Sequence, residues 1–160
     1  MSTMKVEYIN PFINATLNAL STMASTSPAI GKVYLKGTEK MRCEISGTIG
    51  VAGDATGSVT INFPREVVLR VVSNMLGMDV DDINDDVKDA VGEIANMIAG
   101  GAKGELTQMG FNFKIALPVV CVGKNHYTNY PKDVVCVVIP FSMDEGDFSV
   151  EVALKMGASN

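Results

Sequence analysis

The sequence predicts an α+β fold in which an antiparallel sheet packs against long helices. Apolar residues recur at helical spacing in three segments, and several other segments alternate apolar and polar residues as half-buried strands do. The predicted order is a helix, three strands, a helix, a long helix and three strands. Each half begins with a helix and continues with three strands. We therefore expect one domain over residues 1–160, with an internal α-β-β-β duplication as one interpretation.

The first half is predicted to hold two helices and three strands. Asn10 is a suitable N-cap and Pro11 suits the first helical position, so the first helix is expected over 10–25. A second helix is expected over 64–75, because Gly77 supplies a C-terminal stop. The three predicted strands cover residues 32–36, 41–51 and 57–63, with a hairpin turn at 53–55.

The second half begins with the longest predicted helix, over 84–109. Asn84 can cap this helix, two aspartates follow where the helix dipole favours negative charge, and Gly110 ends it. The remaining predicted strands cover residues 112–122, 133–141 and 147–154.

Charge and hydropathy exclude several classes of partner. The chain has 18 acidic and 13 basic residues, a net charge of −5, which argues against binding to nucleic-acid phosphates. No apolar run reaches the roughly 20 residues that a membrane helix needs, and the first ten residues lack the apolar core of a signal peptide. We expect a cytoplasmic protein that binds neither nucleic acid nor membrane.

The sequence offers no recognisable metal site. Cys43, Cys121 and Cys136 are scattered, and the single His126 cannot complete a zinc site with them. The acidic residues of 79–86 lack the glycine and glutamate that a calcium loop requires. A nucleophilic cysteine–histidine pair remains an alternative that no local motif supports.

The long helix carries an unusual polar face. At 100° per residue, Asp89, Glu93 and Asn96 lie together, opposite an apolar face. Lys103 lies nearby, and glycines flank the same face although each costs about 1 kcal/mol in a helix interior. Gly101 lies towards the apolar side and suits tight packing. Gly100 and Gly104 flank the polar face, and we favour the interpretation that they belong to an interaction surface.

These residues resemble a family signature. Asp89, Glu93 and Asn96, followed by Pro118 22 positions after Asn96, are similar to the signature of the CheC/CheX/FliY family of bacterial chemotaxis phosphatases. That signature is Asp or Ser, Glu four positions on, Asn three further and a downstream proline. The chain has one credible copy, as CheX-type members do.

A second Glu-x-x-Asn pair lies near the start of the chain. Glu7 and Asn10 have the same spacing, but Thr3 stands where the signature requires Asp or Ser. Asn10 is interpreted as a helix cap, so we assign this pair no chemistry.

The resemblance implies hydrolysis of the aspartyl phosphate on a CheY-type response regulator. Asn96 would orient the attacking water, and Glu93 would pair with a lysine of the partner. The implied partner contacts are Asp89, Gly100, Lys103 and Gly104. This chain would need no cofactor, because the magnesium would belong to the regulator.

The resemblance also implies a homodimer built through sheet edges. The uncharged run 134–139 agrees with edge pairing, although a central strand in a monomer would look the same. The alternative function is a non-catalytic docking module of the same fold in a chemotaxis or motility complex.

Overall fold

A computed structural model describes residues 6–38 and 42–156. The helices are α1 (Val6–Ala24), α2 (Arg65–Leu76) and α3 (Asp85–Gln108). The first four strands are β1 (Ala29–Ile30), β2 (Tyr34–Leu35), β3 (Cys43–Gly53) and β4 (Ala55–Phe63). The last four are β5 (Phe113–Ile115), β6 (Val119–His126), β7 (Cys136–Met143) and β8 (Gly146–Met156).

The strands form one antiparallel sheet in the order β1-β7-β8-β4-β3-β5, in which β2 also pairs with β7 and β6 also pairs with β3. The hairpins β3–β4 and β7–β8 lie side by side through the pairing of β4 with β8. The short strands that follow α1 pair with the hairpin of the second half, and those that follow α3 pair with the hairpin of the first half. The two halves therefore share one element order and exchange their outer strands.

The hydrophobic core lies between one face of the sheet and all three helices. Alternate residues of the long strands point into it, among them Ile49, Ile61 and Val150, which are fully buried or nearly so. α3 packs against α1 as well as the sheet. A Cβ on Gly101 would lie 3.0 Å from the Cβ of Ala15, so the glycine allows the two helices to approach closely.

The opposite face of the sheet carries a buried polar layer rather than helices. Its buried polar side chains are Ser46, Thr60, Asn62, Ser149 and Glu151. Tyr130, in the connection between β6 and β7, hydrogen-bonds to Glu151 of this layer.

The antiparallel sheet, the long helices and most predicted boundaries are confirmed, including Asn84 as the N-cap of α3 and Gly77 in a left-handed conformation after α2. The first helix was predicted to begin too late. α1 already includes Val6, because Ile9 is buried in the core, and Pro11 lies inside the helix, where its missing N–H leaves the carbonyl of Glu7 without its helical donor. Asn10 is therefore a helical residue and not a cap.

Two further corrections concern strands. The predicted strand 112–122 is two strands, separated at 116–118, and the run continues as β6 to His126. The predicted strand 32–36 contains only the two residues of β2, with β1 just before it. The start of the predicted strand 41–51 lies partly outside the described residues. Among the described residues, no helix is both long and apolar enough to cross a membrane.

Candidate active site

Helix α3 holds the predicted site residues on its solvent side. The side chain of Asn84 accepts a hydrogen bond from the backbone N–H of Val87 at 3.0 Å and fixes the start of the helix. One face of α3, including Val91, Ile94 and Ile98, is buried against the sheet and α1. Burial of this face sets the rotation of the helix, so the polar face must point outward.

Asp89, Glu93 and Asn96 are all exposed on that polar face. Glu93 and Asn96 are three residues apart, about 4.5 Å along the helix axis. Neither side chain forms a hydrogen bond or ion pair with any residue that the structure describes. The fold therefore leaves a carboxylate and a neutral amide, one helical turn apart, available to another molecule.

Pro118 lies beside these residues, although it is 22 positions further along the chain than Asn96. A surface groove of about 320 Å³ has α3 on one side and the β5–β6 connection with the start of β6 on the other. Gly92 is buried beneath the second side, where Pro118 and Val120 pack over it. The residues lining this groove are Lys88, Asp89, Gly92, Glu93, Asn96, Leu117, Pro118 and Val120.

The groove is a short acidic strip beside an apolar wall. Lys88 Nζ lies 3.5 Å from Asp85 Oδ1 on the same helix; the Lys88 side chain is about half exposed and that of Asp85 is almost fully exposed. The carboxylates of Asp89 and Glu93 make the α3 side negative overall. An arrangement of this kind is suited to receive a cationic group and to place the amide of Asn96 against a partner.

The glycines of the polar face fall into two groups. Apart from their chain neighbours and the backbone of their own helix, Gly100 and Gly104 have no atom of the described residues within 4 Å of the position that a Cβ would occupy, whereas Gly101 abuts α1. Lys103 is half-buried between them. Gly100, Lys103 and Gly104 lie on the same side of α3 but do not line the groove. Of the predicted site residues, the structure brings only Asp89, Glu93 and Asn96 together with Pro118.

The acidic segment before α3 is braced by hydrogen bonds. Asp82 Oδ1 accepts from Arg65 Nη1 at 3.1 Å and from the backbone N–H of Ile83 at 2.8 Å. These two contacts, the backbone hydrogen bond first, lower the pKa of Asp82. Within the described part of the chain, no three His, Cys, Asp or Glu side chains are grouped to hold a metal ion.

The structure brings Cys43, the first residue of β3, and His126, the last residue of β6, together. Cys43 Sγ lies 3.3 Å from His126 Nε2, and Ser46 Oγ lies 2.9 Å from the same nitrogen. His126 Nδ1 donates to the carbonyl oxygen of Gly123 at 2.6 Å, which leaves Nε2 as an acceptor. Burial raises the pKa of the Cys43 thiol to about 12, so the thiol stays protonated near neutral pH and is a poor nucleophile.

Sequence reasoning missed a buried ionic cluster in the polar layer of the sheet. Glu151 is 1% exposed, and its two oxygens accept from Lys36 Nζ and from the Tyr130 hydroxyl, each at 2.8 Å. Burial, followed by the charge of Glu151, raises the pKa of Tyr130. The one sequence feature that indicated this cluster was Glu151 itself, an acidic residue between Val150 and Val152. Both oxygens of Glu151 are bonded within the chain, so we assign the cluster a structural role.

Comparison with known proteins points to one family. The family model described as chemotaxis phosphatase CheX matches residues 45–142. The CheY-P phosphatase CheX of Thermotoga maritima is 26% identical over 156 residues, which cover 96% of this chain and 99% of that protein.

Two solved structures are similar over nearly the whole chain. The chemotaxis protein CheX of Vibrio vulnificus is 38% identical with a TM-score of 0.90, over 94% of this chain and 100% of that one. The protein in the CheX–CheY–BeF3–Mg2+ complex of Borrelia burgdorferi is 29% identical with a TM-score of 0.80, over 94% of this chain and 99% of that one.

Proposed function

This chain belongs to the chemotaxis phosphatase CheX family, and we propose that it accelerates hydrolysis of the aspartyl phosphate on a CheY-type response regulator. The observation that carries the proposal is the groove in which Asp89, Glu93 and Asn96 meet Pro118. The names of the relatives from Thermotoga maritima and Borrelia burgdorferi support CheY as the partner.

Asn96 is proposed to orient the attacking water. An aspartyl phosphate is a mixed anhydride, and its hydrolysis needs a water molecule held in line with the leaving carboxylate. A carboxamide can accept a hydrogen bond from water and donate another elsewhere without being a nucleophile. Asn96 is exposed and has no hydrogen-bond partner among the described residues, so no bond within this chain must break before it enters the regulator's site.

Glu93 is proposed to pair with a lysine of the regulator. It lies one turn before Asn96, so an ion pair there would set how far the amide reaches. Asp89, one turn further back, would extend the acidic edge. Magnesium is expected to be held by the regulator, where it would offset negative charge on the phosphoryl group.

The far part of α3 is proposed to extend the contact. Gly100 and Gly104 leave bare helix surface, so the backbone of another molecule can come close to α3 there. Lys103 would add a cation to this contact. We therefore assign Gly100, Lys103 and Gly104 to partner binding rather than to chemistry.

Phosphate loss from a phosphorylated CheY-type receiver, measured with and without the chain, tests the proposed activity. We expect loss to accelerate in proportion to the amount of chain added, with no phosphate transferred to it. A chain that binds the receiver and leaves its rate unchanged would instead be a docking module.

The assembly is proposed to be a homodimer through the outer edge of β6. Most of the run that first suggested a dimer lies in β7, which is interior to the sheet and needs no second copy. β6 pairs with β3 on one side only, and its side chains include Val119 and Val122, which are 67% and 45% exposed. An apolar edge of this kind favours pairing with another strand. Light scattering at micromolar concentration should give twice 17.0 kDa, and a mass near 17.0 kDa would contradict the dimer.

A further inference from the structure

We propose that Leu117 is an apolar anchor that seats the phosphorylated receiver domain against the groove of Asn96, an inference that rests on the proposed function. Leu117 is 86% exposed, the largest exposed fraction among the large apolar side chains that the structure describes as exposed. It lines the same groove as Glu93 and Asn96. Exposure of a leucine to this extent gives the isolated chain no stability, so its apolar surface is available to a partner.

The backbone holds Leu117 in place. The N–H of Ala116 donates to the carbonyl oxygen of Gly50 at 2.9 Å, which ties the β5–β6 connection to β3. Pro118 follows directly, restricts Leu117 to extended backbone and packs over the buried Gly92. A side chain presented from a fixed backbone loses little conformational entropy on binding, which favours its use as an anchor.

The proposed occupant of this groove is the receiver domain, because Asn96 has to reach its phosphoryl group. Asn96 can position a water only if the receiver docks in one orientation, and an ion pair at Glu93 alone would leave it free to pivot. An apolar contact on the opposite side of the groove supplies a second fixed point. The apolar contact would also displace loosely held water beside the reacting phosphoryl group.

A second copy of this chain is a poorer occupant of the same surface. In a two-fold symmetric contact centred on the groove, each residue faces its own counterpart or a near neighbour. The groove carries two carboxylates, Asp89 and Glu93, against one cation, Lys88, so two copies would bring net negative charge together. The like charges would oppose that contact, whereas a lysine of the receiver would favour the proposed one.

Leu117→Ala tests the anchor against a matched exposed leucine. Leu35 lies on β2, is 67% exposed and is not part of this groove, so Leu35→Ala is the control. Affinity is measured for a receiver loaded with magnesium and beryllofluoride, together with KM and kcat for the phosphorylated receiver. We expect Leu117→Ala to weaken binding and raise KM about tenfold with kcat preserved. Leu117→Met should stay within about twofold of the original, and Leu35→Ala should have no effect.

Each result bears on the proposal. Unchanged affinity in Leu117→Ala, or an equal loss in Leu35→Ala, overturns the anchor. A lower mass of Leu117→Ala in light scattering overturns it also, because Leu117 would then be a contact between copies. If the original chain binds the loaded receiver without accelerating phosphate loss, the proposed activity fails while the binding comparison still decides the anchor. A chain that does not bind the receiver at all overturns both.

Discussion

Two sets of polar side chains lie on opposite sides of this molecule, and they differ in how the fold satisfies them. On the outer face of α3, Glu93 and Asn96 are exposed and form no hydrogen bond with the described residues. On the far face of the sheet, Glu151 is 1% exposed and bonds to both Lys36 and Tyr130. Among the described residues, Glu93 and Asn96 form no contact of this kind that would stabilise the fold. Glu151 is buried, and both of its oxygens accept hydrogen bonds from within the chain.

The difference separates side chains that are available to another molecule from side chains that stabilise the fold. A buried carboxylate is tolerated only when it is paired and hydrogen-bonded, so its partners must be supplied within the chain. An exposed carboxylate and amide are satisfied by water and can exchange that water for a partner. Substitutions on the two sides should therefore affect different measurements.

The largest effect is expected from Glu151→Ala, on stability. Removal of this carboxylate leaves the Lys36 ammonium and the Tyr130 hydroxyl without their shared acceptor, and breaking a buried pair in this way costs about 3–5 kcal/mol. The free energy of unfolding, from denaturant titration, measures the loss. Glu151→Gln keeps an acceptor and should lose less. A loss below about 1 kcal/mol for Glu151→Ala would show that the cluster is not tied into the fold as its contacts indicate.

Asn96→Ala should slow dephosphorylation of the receiver about a hundredfold while leaving its affinity nearly intact. The lost interaction belongs to the transition state, and removal of one such positioned group commonly costs this much. Stability should change by less than about 0.5 kcal/mol, because the side chain is exposed. Rates at saturating chain, with affinities for the beryllofluoride-loaded receiver, make the distinction.

The matched control is Asn10→Ala on α1, where the same Glu-x-x-Asn spacing occurs. It should leave the rate unchanged. Full acceleration by Asn96→Ala would remove the proposed mechanism and favour the docking module.

Glu93→Ala should have the smallest effect of the three. An exposed ion pair is worth at most about 1 kcal/mol, so affinity for the receiver should fall by no more than about fivefold and the loss should shrink at high salt. Asp89→Asn should give a smaller loss, and Thr107→Ala, further along α3, should give none. An equal loss at low and high salt would argue against a charge pair at Glu93.

The two Glu-x-x-Asn pairs show how far a local motif can be interpreted. Both are exposed on helices, and Asn10 is helical rather than a cap. Asn10 adjoins an apolar groove formed with Val33 and Leu35, whereas Asn96 lies beside Asp89 and Pro118. Thr3 stands where the signature requires Asp or Ser, and this still separates the first pair from the signature. The predicted role of Asn10 as a helix cap was wrong.

The sequence by itself determined most of the helices and long strands and the polar face of α3. Helical spacing, the Asn84 cap and the glycine stops act within a few residues, so they can be interpreted without the rest of the chain. The same is true of Asp89, Glu93 and Asn96, because helical geometry alone places them side by side.

Only the tertiary structure decided which distant residues meet. Pro118 joins Asn96 because β6 pairs with β3 at the sheet edge beside α3, and Glu151 meets Lys36 because the strands after each helix exchange between halves. The exposure of Leu117 and the interior place of β7 likewise follow from strand order. Which strands pair depends on the apolar surface that the whole core buries, and this total cannot be inferred from any short segment.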